Sequence, residues 1–124
     1  GLRALGFIVE PEPVAFPLIA QRSRLLVSHG GHGFVCSALL SGLPQVVCHY
    51  DLEKVMHAQA VAKLGVGGFV PLMQIDPGAF AASLVKLYRD DELSKRARAA
   101  AAGFNTRYAA SMQVSMADAV ESLL

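Results

Sequence analysis

The chain contains no tryptophan, two cysteines and nine other aromatic residues among 124, and its charges nearly cancel at a formal +1. Each scarcity excludes something. Near-neutral charge gives no general argument for binding nucleic acid or an anionic membrane. The two cysteines, Cys36 and Cys48, fall in predicted buried elements and read as reduced core residues, with a disulfide between them the lesser alternative. The spacing of His29, Cys36 and His49 matches no zinc pattern. No apolar run is long enough for a transmembrane helix. The first residues lack the basic stretch, apolar run and small-residue cleavage site of a signal peptide, and the expected compartment is the cytoplasm. Charged residues make up 17% of the chain and hydrophobic ones 53%, many of them alanine, so the excess apolar surface points to an interface. There is no repeat, low-complexity segment or linker, and the chain reads as a single domain, residues 1–124.

What is present centres on Leu25-Leu26-Val27-Ser28-His29-Gly30-Gly31-His32-Gly33-Phe34. A branched apolar run ends at Ser-His, three glycines follow within four residues, and Phe34 to Ser41 reads as a helix stopped by Gly42 and Pro44. Strand, glycine turn and helix aim free backbone N–H groups at an anion, and the helix start adds roughly half a positive charge. The stretch is therefore either a phosphate cradle or an ordinary strand-to-helix turn.

Four strands are expected, at Leu5–Val9, Leu25–Ser28, Gln45–Cys48 and Gly67–Val70. Helices are expected from Pro17 to Arg22, from Glu53 to Leu64 with Met56, Ala60 and Leu64 on its apolar face, and from Pro77 with Phe80, Leu84, Leu87 and Tyr88 as its stripe. Asp76 and the Asp90-Asp91-Glu92 run supply N-caps. The C-terminal helices occupy about 91–124. Gly103 is expected to break or bend them before a last stripe of Phe104, Tyr108, Met112, Met116, Val120 and Leu124, read as a packing face. Alternation of short strands and helices predicts an α/β, Rossmann-like parallel sheet with flanking helices. Because the chain begins almost on a strand, the domain is expected to be truncated at its N-terminus.

His29-Gly30-Gly31-His32-Gly33, followed by Ala38-Leu39, Ser41-Gly42-Leu43-Pro44-Gln45-Val46-Val47, Ala58 and Val61-Ala62-Lys63-Leu64-Gly65-Val66-Gly67, resembles the donor-binding half of UDP-glycosyltransferase-like GT-B enzymes. The resemblance runs from about Phe7 to Val70. It implies half of a GT-B fold in a larger transferase that moves a sugar from a nucleotide-diphosphate donor, such as a UDP- or TDP-sugar, to an acceptor hydroxyl. It further implies that His29 and the Gly31, His32, Gly33 and Phe34 backbone hold the donor diphosphate. The nucleotide base and ribose fall to Val14, Phe16 and Ser37, and the sugar hydroxyls to Glu53 and Lys54. No metal and no cofactor beyond the donor sugar are implied. The catalytic base belongs to an acceptor-binding N-terminal domain or subunit, so the chain alone is expected to be inactive and to associate with that partner or itself through Phe7, Ile8 and the last stripe.

The sequence also departs from the family. Phe34 stands where a hydroxyl residue is usual, Ser37 where a ribose-binding Glu is usual, Lys54 where Gln is usual, and His49 and His57 where Pro and Asn are common. These departures keep two alternatives open: a degenerate nucleotide-binding or association module, and one subunit of a split glycosyltransferase.

Overall fold

The structure, a computed structural model, describes residues 1–107 in full and the backbone of the final helix as far as Leu123. Three strands form one parallel sheet in the order β1 (Leu26–Ser28), β2 (Gln45–His49), β3 (Gly67–Pro71). Val27 pairs with Val46, and Val46 with Gly68, so the register is in step across the sheet. The central strand β2 is the branched, apolar run Val46-Val47-Cys48, buried on both faces as a middle parallel strand must be. Gly67 is fixed by close approach: a Cβ there would lie 1.8 Å from the Gln45 carbonyl oxygen of β2.

Among the described residues the sheet is accompanied by five α-helices: α1 (Phe16–Ala20), α2 (His32–Leu40), α3 (Leu52–Lys63), α4 (Pro77–Tyr88) and α5 (Asp91–Leu123). The expected caps are in place. The Asp76 carboxylate accepts from the Ala79 N–H at 2.9 Å, and Asp90 accepts from Leu93 N–H at 3.0 Å. A third cap, Asp51 accepting from Lys54 N–H at 2.9 Å, starts α3. One face of β2 meets α2, α3 and α5 in a core of Val35, Val47, Ala58, Val61, Val66 and Ala97. Small side chains let these helices approach closely. Gln45, fully buried on β2, donates from Nε2 to the Val35 carbonyl and ties the strand to α2.

Several expectations are corrected. Leu5–Val9 is not a strand: residues Leu2–Leu5 form one turn of 3-10 helix, Gly6 takes φ of 90°, and the following residues pair with nothing in the sheet. Ile8 is 86% exposed. An apolar run becomes a strand only beside a neighbour that bonds it, and among the described residues the sheet has three strands rather than four. The Met56–Ala60–Leu64 face of α3 points outward, with Met56 64% exposed, while Ala58 and Val61 meet the sheet. The helix lies so near the strands that its smaller residues, not its largest ones, face them. Gly103 does not break the last helix, which is continuous from Asp91 to Leu123; a helical glycine costs about 1 kcal/mol, which the surrounding alanines offset. Of the terminal stripe, Phe104 is half-buried, and the side chains from Tyr108 to Leu124 lie outside the described residues. Helix α2 starts at His32, two residues before Phe34. Cys36 and Cys48 are both free thiols; burial pushes the Cys48 thiol up.

Candidate functional site

The site forms where β1 hands over to α2. Gly30 N–H donates back to Ser28 Oγ at 3.2 Å, and Gly30 takes φ of 90°, a left-handed conformation that disfavours any Cβ. Space forbids one as well, since it would sit 2.6 Å from Val47 Cγ1. The turn is thus pressed onto the central strand. Gly31 then caps α2 with no side-chain hydrogen bond, and its carbonyl accepts from Val35 N–H at 3.0 Å. That bond is the first of the helix, so the N–H groups of His32, Gly33 and Phe34 have no helical carbonyl to bond. A Cβ on Gly33 would meet nothing within 4 Å, so the space beside the helix start is open. The backbone segment expected from sequence, Gly31 to Phe34, is thereby one contiguous set of unspent donors at the positive end of α2.

Side chains rim this opening. The His29 ring stacks on Tyr50, centroids 6.2 Å apart at 27°, and stands edge-on to Phe34 at 6.0 Å. Phe34 in turn meets Phe16 edge-on at 6.5 Å, which brings α1 to the mouth of the turn. Ser37 lies one helical turn beyond Phe34 on α2. Lys54, in the first turn of α3, packs its stem against the Gly30 turn, pairs with Asp51 at 3.1 Å and holds its ammonium 5.4 Å from the Tyr50 ring centre. Its N–H and ammonium keep the Asp51 carboxyl below the usual carboxylate range, and the Asp51 hydrogen bond holds the Lys54 ammonium above the usual lysine range. Glu53 is exposed beside it. Val14 stands apart from this group, in an open groove of about 760 Å³ with Ile8, Leu18 and Ile19.

Of the sequence candidates, the structure therefore brings His29, Gly31, His32, Gly33, Phe34, Phe16 and Lys54 around one opening and leaves Val14 outside it. His49, at the end of β2, meets Phe69 at 5.6 Å and points its ring to β3. Two further residues belong to the opening. Tyr50 supplies the surface on which His29 stacks. His57 of α3 bonds the Gly30 carbonyl at 2.7 Å and places its ring 5.6 Å from that of His32. No local signal marks His57, because its partner is 27 residues away. Among the described residues, no three His, Cys, Asp or Glu side chains are grouped to hold a metal ion, and no helix is long and apolar enough to cross a membrane.

Residues 12–115 match the family model of the erythromycin biosynthesis protein CIII-like, C-terminal domain. The chain is 25% identical over 84 residues to the erythronolide mycarosyltransferase of Saccharopolyspora erythraea, covering 68% of this chain and 20% of that protein. It is 29% identical over 72 residues to the 10-deoxymethynolide desosaminyltransferase of Streptomyces venezuelae, covering 58% of this chain and 17% of that one. The chain thus spans about a fifth of the length of the curated relatives it matches. Among solved structures, it resembles the glycosyltransferase SsfS6 of Streptomyces sp. SF2575, crystallised with thymidine diphosphate. The TM-score is 0.63 at 27% identity, over 73% of this chain and 24% of that one. The glycotransferase of kitacinnamycin superposes with a TM-score of 0.69 at 24% identity, over 75% of this chain and 24% of that one. These neighbours are GT-B glycosyltransferases, and the three-stranded parallel sheet with its helices is part of that fold. With the glycine turn, the open start of α2 and a family match over most of its length, the chain belongs to the erythromycin biosynthesis protein CIII-like C-terminal domain family of glycosyltransferases.

Proposed function

We propose that the chain is the donor-binding half of an enzyme that moves a sugar from a nucleoside diphosphate sugar to an acceptor hydroxyl. The observation that carries this reading is the set of free N–H groups from His32 to Phe34 at the start of α2, with open space before them. Charge builds on the diphosphate as the glycosidic bond breaks. Fixed donors and a helix dipole aimed at that position favour the transition state over the bound donor. His29 and Lys54 stand on the rim where a cation or N–H donor would offset the same charge. Phe16 and Phe34 offer ring surface for the base, Ser37 a hydroxyl for the ribose, and Glu53 a carboxylate for sugar hydroxyls. Val14, set apart in its own groove, is a weaker candidate for the base. The general base must lie within hydrogen-bond reach of the acceptor. We assign it to an acceptor-binding domain or subunit that completes the enzyme, in the cytoplasm, where free thiols such as Cys36 and Cys48 persist.

Calorimetric titration with TDP, UDP and GDP separately tests the reading. Thymidine diphosphate comes first because the SsfS6 neighbour was solved with it. A Cβ at Gly31 would lie 2.9 Å from His29 Nε2, so Gly31→Val displaces the ring and covers the helix start. The expected result is a loss of about tenfold or more in affinity, roughly 1.4 kcal/mol, with an unchanged circular dichroism spectrum. Binding equal to the parent would place the cradle elsewhere.

A further inference from the structure

The Gly30 peptide is held from outside its own turn. Its carbonyl oxygen lies 2.7 Å from Nδ1 of His57, on the neighbouring helix α3. A carbonyl only accepts, so Nδ1 carries the proton, and neutral His57 is the Nδ1–H tautomer, the less common form of a free imidazole in water. Gly30 C=O and Gly31 N–H belong to one trans peptide, and their bonds point in opposite directions. Fixing the carbonyl toward α3 therefore fixes the Gly31 N–H away from α3. A hydrogen bond to the carbonyl also polarises the amide and strengthens that N–H as a donor. The turn needs such a hold. Gly30 has no Cβ, takes φ of 90° and would drift toward other conformations were its peptide free.

We infer that His57 is a positioning residue of the donor site: from α3 it locks the Gly30–Gly31 peptide, so that the backbone donors ahead of α2 are set before a nucleoside diphosphate arrives. This inference rests on the donor-binding reading above. The His57 ring bonds the Gly30 carbonyl and lies 5.6 Å from the His32 ring, whose Nε2 is 3.6 Å from Cys36 Sγ. The carbonyl, which only accepts, sets the proton on Nδ1.

Two measurements test it. Nitrogen-15 imidazole spectra of the wild-type chain at neutral pH are expected to show His57 protonated at Nδ1; protonation at Nε2 alone would overturn the inference without any variant. Titration with thymidine diphosphate is expected to show about a tenfold loss for His57→Leu, which removes the donor. His57→Asn keeps a side-chain N–H of similar reach and is expected to stay within about threefold of wild type. A folded His57→Leu chain that binds like wild type, or an Asn variant as weak as the Leu variant, sinks the positioning role while the donor reading stands. A wild-type chain that binds no nucleoside diphosphate sinks the donor reading and, with it, the role that rests on it.

Discussion

The two faces of the sheet are built from the same kinds of residue and finish differently. Toward α2, α3 and α5, Val47 and Val61 are fully buried against alanines and valines. Toward α4, Val46 looks into a groove of about 330 Å³ lined by Phe80, Leu84 and Leu87, and Val27 of β1 stays 44% exposed. Helix α4 buries none of its residues fully. Apolar content does not separate the faces, since α4 carries the larger side chains. Fit separates them: small residues on α2, α3 and α5 close the distance to β2, whereas the bulky stripe of α4 stands off and leaves gaps. The candidate site grows from the sealed face. Val47 blocks the space behind Gly30, and α3 supplies both Lys54 and His57 to the turn. The glycine turn is thus seated on the closely packed face of the sheet rather than on the open one.

The largest effect is expected where backbone meets backbone. Gly67→Ala would put a methyl 1.8 Å from the Gln45 carbonyl and must push β3 from β2. We expect a loss on the order of 4 kcal/mol, read as a large fall in the urea midpoint or as failure to fold. A midpoint near that of wild type would mean the strand pairing gives more easily than the sealed face implies. Next comes the contrast between faces. Val61→Ala removes fully buried methyls from the closed side and should cost about 2 kcal/mol, whereas Leu84→Ala trims a half-buried side chain beside an existing groove and should cost about 1 kcal/mol or less, although it deletes more atoms. Equal losses in urea unfolding would erase the distinction between the faces.

Local signals were legible in the sequence wherever the cause was local. The β2 run, the Asp76-Pro77 start of α4, the acid cap of α5 and the strand–glycine–helix order all follow from residues a few positions apart, and the structure has each of them. What could not be read depends on distant partners. Nothing in Leu5–Val9 says that no strand lies beside it, and nothing in Met56, Ala60 and Leu64 says that α3 turns its alanine face inward. The pattern singles out Gly31 and Gly33, but the glycine of this turn with no alternative is Gly30: its φ of 90° and the approach of Val47 and Lys54, brought in by the fold, make it so. The Phe16–Phe34 contact is of the same kind, joining α1 to α2 across a strand.

The smallest expected effect concerns how α3 is fastened at the site. Asp51 caps the helix through the Lys54 N–H and pairs with the Lys54 ammonium, and these hold its carboxyl below the ordinary value of 3.8. A carboxyl depressed in the folded state stabilises the fold in full above that ordinary value and ceases to do so as the pH falls through its own lower one. Lys54 has the opposite sense: raised above 10.5, its contribution is present at neutral pH and fades only as the pH climbs past that range. Between these limits α3, and with it His57 and the Gly30 turn, should show no pH dependence from this pair. Asp51→Asn separates the two parts of the Asp51 role. Asparagine still caps a helix but does not titrate, so the variant should fold at neutral pH and lose part of the acid-side decline in thermal midpoint seen for wild type. Parallel midpoint curves for the two chains from neutral pH down to acid would show that Asp51 does not fasten α3 through its charge.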